Sequence, residues 1–139
     1  MARGGQLSAR MDEAVLARLE KLSSREGQPR SRLAEQLIDE GIRMREFPEI
    51  VFRPGPTGRR AALADGPDVW EIVRGLAQAR LGDGDPIELL MASTNLREDQ
   101  IRLAVGYYSA YPDEVDARIH EDEEAATRLR ALLAIPAGE

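Results

Sequence analysis

The chain contains no cysteine and one histidine in 139 residues. Disulfide frameworks, thiolate nucleophiles and sulfur-rich metal sites are thereby excluded. Aromatic residues make up only 4%, which with 32% charged residues suits a soluble, helix-rich protein. No apolar run approaches the length needed to cross a bilayer, and the opening Met1–Gly5 has no apolar core of the kind a signal peptide carries. A cytoplasmic protein is expected. Charge is abundant, with 32% charged residues and a net charge of −6. It is unevenly spread. Residues 1–64 hold twelve Lys or Arg against nine Asp or Glu, a net of +3, and residues 65–139 hold seven against sixteen, a net of −9. A basic N-terminal part and an acidic C-terminal part imply two tasks with different partners, and any nucleic-acid contact belongs to the first.

The most informative stretch is Gln6–Arg45. Gln6-Leu7-Ser8-Ala9-Arg10-Met11 alternates polar and apolar residues, as a strand does when Leu7, Ala9 and Met11 share one face and Gln6, Ser8 and Arg10 the other. Asp12 is a good helix N-cap, and Val15, Leu16, Leu19 and Leu22 recur at helical spacing until Gly27. Pro29 restarts the chain, and Leu33, Leu37, Ile38 and Ile42 form a second apolar stripe. The expected order is strand, helix, turn, helix in about forty residues. A lone strand has no ladder partner, and so short a module rarely buries enough apolar surface to fold by itself. A second copy supplies both, its strand pairing antiparallel across a two-fold axis over a shared four-helix core. The resulting two-stranded ribbon fits the major groove of B-DNA with Gln6, Ser8 and Arg10 outward.

The run QLSARMDEAVLARLEKLSSREGQPRSRLAEQLIDEGIR resembles a ribbon-helix-helix DNA-binding module of the Arc/MetJ/CopG type. The resemblance is carried by the alternating strand, its Arg10-Met11-Asp12 exit, the Glu26-Gly27 turn, and Arg30-Ser31 at the start of the second helix. It implies base contacts by Gln6, Ser8 and Arg10, and phosphate contacts by Arg3, Arg30 and Ser31, the last through backbone N–H groups at a helix N-terminus. Pro29 stands where many members have a capping Ser or Thr, so the phosphate clamp would rest on Arg30 and Ser31.

Phe47-Pro48 ends the second helix. Glu49–Arg53, a turn at Pro54–Gly58 and Arg59–Leu63 then predict a β-hairpin linking two halves. Its Arg53, Arg59 and Arg60 are either solvated or flank DNA. Helices are expected from Pro67-Asp68 to about Arg80, over Ile87–Ala92, from Arg97 to about Ala110 behind a Ser93-Thr94-Asn95 cap, and from Asp113 to about Ala134. On the third of these, Ile101, Ala104, Val105 and Tyr108 form the inner face, while Tyr107 and Tyr111 share another, more exposed one. Trp70 and Tyr108 lie on apolar stripes and suit a core.

The three helices between Pro67 and Ala110 have helix-turn-helix proportions. Together with Asp99-Gln100-Ile101, Tyr107-Tyr108 and Tyr111-Pro112-Asp113-Glu114-Val115-Asp116, they are similar to a small bacterial family regarded as antitoxins of PIN-related nuclease toxins. The whole chain thus resembles a VapB-type antitoxin. That likeness implies an operator-binding autorepressor, homodimeric, bound to double-stranded DNA and to a cognate nuclease toxin. Candidate toxin contacts are Tyr107, Tyr111, Glu121, Asp122, Glu123, Glu124, Leu129, Leu132 and Leu133. The alternative is a ribbon-helix-helix transcription factor whose C-terminal domain serves oligomerisation or effector binding. The expected domains are residues 1–46, a hairpin linker at 47–65, and an acidic helical domain at 66–139.

Catalytic signals are weak. His120 stands alone beside Glu121-Asp122-Glu123-Glu124 and lacks a second nitrogen or sulfur ligand for a selective metal site. Nothing places Asp83, Asp85 and Glu88 around one pocket, Asp83-Gly84-Asp85-Pro86 is ordinary turn composition, and Gly82-Asp83-Gly84 lacks the lysine of a phosphate loop. No enzyme, cofactor or metal is expected.

Overall fold

The computed structural model describes residues 4–133. It is mainly helical, with six helices and one two-stranded antiparallel hairpin. The helices are α1 (Glu13–Glu26), α2 (Arg30–Glu46), α3 (Val69–Ala79), α4 (Pro86–Ser93), α5 (Glu98–Ala110) and α6 (Pro112–Leu133), and the strands are β1 (Ile50–Arg53) and β2 (Arg60–Leu63). None of the described helices is long and apolar enough to cross a membrane. The chain forms two compact units, Met1–Ile42 and Arg43–Glu139, the division falling inside α2.

In the first unit the helix boundaries follow local chemistry. The Asp12 carboxylate accepts from the N–H groups of Ala14 (2.9 Å) and Val15 (3.3 Å), satisfying two donors that a helix start leaves orphaned. Gly27 ends α1 in the left-handed region, φ +65°, where a residue with a Cβ is strained. The strand expected over Gln6–Met11 is not formed: these residues have no regular secondary structure in the single chain. The physical reason is the one that raised the question, since a strand is defined by its ladder and the described chain offers this segment no partner. The apolar stripes have not closed into a core either. Leu33 is fully buried, but Leu7 is 78% exposed, and Met11, Val15, Leu37, Ile38 and Ile42 all lie on the surface.

The second unit has a closed core built from Ile50, Ala61, Leu63, Val69, Ile72, Leu90, Ile101, Ala104, Tyr107 and Val115. Helix α3 is its hub, packing against α4, α5, α6 and β2. The hairpin is an integral part of it. Its register pairs Ile50 with Leu63 and Arg53 with Arg60, and its turn closes on Gly58, φ +116°. Ile50 and all of Ala61–Leu63 are buried, so this segment is not a free tether.

Three caps bound α4 and the start of α5. Asp85 accepts from the Ile87 N–H at 2.9 Å ahead of Pro86, starting α4. Thr94, expected to start α5, instead closes α4 by donating to the Leu90 carbonyl at 2.7 Å. α5 is started by Gln100, whose side chain accepts from the Arg97 N–H at 2.9 Å.

Candidate nucleic-acid and partner surfaces

Gln6, Ser8 and Arg10 are exposed, as base-reading side chains must be. Gln6 and Ser31 line one groove of about 690 Å³ with Leu7, Ala34, Ile38 and Ile42, so the structure brings one base candidate and one phosphate candidate together. Ser31 is in the first turn of α2, where backbone N–H groups have no intrahelical acceptor. Arg30 donates to Glu20 at 2.8 Å, and both side chains are more than half exposed. Such a pair contributes little to stability, and the guanidinium is easily shared with an anion. Arg3 lies outside the described residues.

On its other flank, α2 and α1 enclose an apolar groove of about 440 Å³ lined by Met11, Val15, Leu19, Leu22, Leu37 and Ile38. Its lining joins the exposed stripes of both helices. Exposed apolar patches of this kind are common at interaction sites.

In the second unit, Tyr107 corrects the expectation that it shares an exposed face with Tyr111. Its side chain is 0% exposed. The ring packs edge-on against Phe47 (5.4 Å between centroids) and beside Tyr111 (5.0 Å). Its hydroxyl donates to Glu114 at 2.6 Å and accepts from Arg43 at 2.8 Å, while Arg43 also donates to Glu114 at 2.7 Å. Burial, reinforced by the hydrogen bond to Glu114, pushes the Tyr107 hydroxyl well above its ordinary range. The Arg43 guanidinium lies 4.1 Å over the Tyr111 ring, and the Tyr111 hydroxyl bonds Glu46 at 2.5 Å. Tyr107 is therefore part of the core, and Tyr111 is partly buried beside it. Nothing in the periodicity marks Arg43, whose role depends on acceptors some seventy residues later.

The hairpin arginines are also engaged inward. Arg53 donates to the carbonyls of Leu63 (2.9 Å) and Gly66 (3.2 Å), and Arg59 to that of Phe52 (3.0 Å). Arg60 pairs with the buried Asp68 and reaches the Pro54 carbonyl at 2.7 Å. Arg118 of α6 grips the turn through the carbonyls of Thr57 (3.1 Å) and Arg59 (2.8 Å). Trp70 is partly buried against the core, its indole N–H donating to Asp68 at 3.1 Å. Tyr108 is likewise partly buried, and its hydroxyl, which donates to Asp116 at 2.8 Å, is raised by that bond first and by burial second.

Of the four carboxylates expected to face a toxin, three have partners in the chain. Glu121 pairs with Arg118 at 3.2 Å, Asp122 with Arg74, and Glu124 with His120 at 3.1 Å, which leaves His120 in an ordinary helical contact. Glu123 has no ion pair among the described residues. Leu129, Leu132 and Leu133 are exposed at 55%, 81% and 56%. Elsewhere Arg97 clamps Asp65 (3.2 Å) and Asp99 (3.1 Å), and these hydrogen bonds hold both carboxyls below the usual carboxylate range. Asp65, Ile72, Leu90, Leu96 and Gln100 border an open cavity of about 380 Å³. With this geometry in view, no protein-family model, curated protein sequence or solved structure matches the chain.

Proposed function

We propose that the chain is a cytoplasmic antitoxin and operator-binding autorepressor. It would act as a ribbon-helix-helix dimer and neutralise a PIN-like nuclease toxin through its C-terminal half. The observation that carries the reading is the unclosed first unit: capped helices flanking an apolar groove, preceded by an alternating segment without a ladder. Pairing Gln6–Met11 antiparallel with the same segment of a second copy provides that ladder. It also turns Leu7, Ala9 and Met11 onto the exposed stripes. Gln6, Ser8 and Arg10 then project toward base edges, and Arg3, Arg30 and Ser31 toward phosphates. The C-terminal half would meet the toxin through the leucines of α6 and through Glu123, which has no ion pair among the described residues.

Binding of the full chain to DNA from its own promoter region tests the first part. Arg10→Ala should lose about 1–3 kcal/mol and relax base preference at one position, whereas Arg30→Ala should weaken all sequences alike and flatten the salt dependence. Wild-type affinity in Arg10→Ala would remove the strand-face assignment. Capture of the native protein with mass spectrometry of its companions tests the second part, the expected companion being a small nuclease. A second reading, a transcription factor whose C-terminal unit assembles copies or binds an effector, is favoured by the α6 stripe that runs past the core and by the cavity at Ile72, Leu90 and Leu96.

A further inference from the structure

The inner face of α6 repeats as Val115, Ile119, Asp122, Ala126, Leu129 and Leu133, alternating steps of four and three. Val115 is buried, Ile119 packs against the core, Asp122 pairs with Arg74 of α3, and Ala126 is partly buried. Leu129 and Leu133 continue the same seam but are more than half exposed, with Leu132 beside them. A seam with this alternation is shaped to receive another helix, because a 3–4 repeat keeps one stripe facing one partner.

The residues beside the seam specify which helix. Glu123 and Arg130 flank it on one side, Ala125 and Leu132 on the other. Neither Glu123 nor Arg130 has an ion pair among the described residues. In an antiparallel pair of identical helices, flanking positions meet their own kind. With the two-fold axis between residues 127 and 128, Ala126 faces Leu129 of the second copy. On one flank Glu123 then meets Arg130 of the second copy, and on the other Ala125 meets its Leu132. Each ion pair occurs twice by symmetry, and the apolar flank is buried against itself. A parallel pairing would set Ala125 against Arg130, and Glu123 against Arg118, whose guanidinium is already committed to the Thr57 and Arg59 carbonyls and to Glu121.

We propose that the last turns of α6 are a homotypic interface, pairing antiparallel with the same turns of a second copy of this chain. The interface is separate from the N-terminal groove and does not rest on the DNA-binding reading. Two isologous contacts on one chain let dimers join into tetramers or longer arrays, as symmetry requires of any protein with two such faces.

The test is sedimentation equilibrium of the full chain, in the wild type and in a Leu37→Glu background that charges the N-terminal groove. Circular dichroism would verify that every variant keeps its helix content. The Leu37→Glu chain should still form a reversible dimer, and the wild type should form species larger than a dimer. In the Leu37→Glu background, Arg130→Glu should weaken dimerisation by about tenfold, since two attractive rim pairs become repulsive. Adding Glu123→Arg should restore it, because the charges are then exchanged across the same axis. A Leu37→Glu chain that stays monomeric at the highest attainable concentration would overturn the interface and release the leucines to a different partner. A dimer that the charge exchange fails to restore would overturn the antiparallel register. Failure of the wild-type chain to bind its promoter DNA, with the α6 dimer present, would count against the proposed function alone.

Discussion

Tyr107→Phe isolates one hydroxyl in an otherwise unchanged packing environment. The ring is fully buried and would keep its contacts with Phe47 and Tyr111. What disappears is a donor to Glu114 at 2.6 Å and an acceptor for Arg43 at 2.8 Å. Hydrogen bonds to charged groups contribute about 1.5–3 kcal/mol each, but Arg43 and Glu114 remain bonded to each other at 2.7 Å, and the Glu114 side chain is 35% exposed, so water replaces part of the loss. The expected net cost is about 1–2 kcal/mol, or about 4–12 °C in Tm for a unit of this size. Trp70, the only tryptophan, lies in the second unit, so its fluorescence during urea or thermal unfolding reports on that unit directly. The pH dependence supplies a second readout. A tyrosine freed by unfolding ionises near 10, whereas the buried hydroxyl holds its proton to higher pH. Above pH 10 the folded state therefore binds more protons than the unfolded one, and wild-type stability falls as pH rises through that range. The variant lacks this contribution, so the gap between the two should narrow above pH 10. Identical midpoints at neutral pH and identical alkaline slopes would refute the account of the Arg43–Tyr107–Glu114 cluster.

Arg60→Ala strips the buried Asp68 of its guanidinium and should cost about 2–3 kcal/mol in the same fluorescence assay, because an uncompensated buried carboxylate is left behind. Unchanged stability would show that water or Trp70 alone satisfies Asp68. Gly27→Ala meets no neighbour within 4 Å, so its expected cost of about 1 kcal/mol comes from the left-handed backbone alone. Loss of amide protection at the end of α1 in hydrogen exchange would register it, and wild-type protection there would contradict the strain argument.

What was legible in the sequence was local. Asp12, Gly27, Pro48 and the Pro54–Gly58 turn announce their elements because caps and turns are decided by neighbouring backbone groups. The Gln6–Met11 strand could not be decided that way. Its alternation is plain, but a ladder belongs to two segments, and one chain supplies one. Tyr107 was misplaced for a related reason. Ile101, Ala104, Val105 and Tyr108 make a reasonable apolar stripe, yet the face actually buried centres on Ile101, Ala104 and Tyr107. The two choices differ by a fraction of a helical turn, and the phenol prefers the interior only because Arg43 and Glu114 are there to receive it. The hairpin arginines carry the same lesson: composition records their charge, whereas their carbonyl acceptors belong to the fold.

Those inward-turned arginines also change the electrostatic picture of the N-terminal half. The excess of three positive charges counted over residues 1–64 is matched by Arg53, Arg59 and Arg60, all of which hold the hairpin together in the second unit. Residues 1–42 contain seven Lys or Arg and seven Asp or Glu. The unit proposed to read DNA is thus neutral, within a chain of net charge −6. Such a protein gains little from long-range attraction to the duplex, so its association would not be steered and its hold on random sequence would be slight. Against a genome of competing sites, that indifference is an advantage: fewer molecules are sequestered on irrelevant DNA, and occupancy of the operator depends on short-range fit rather than on charge.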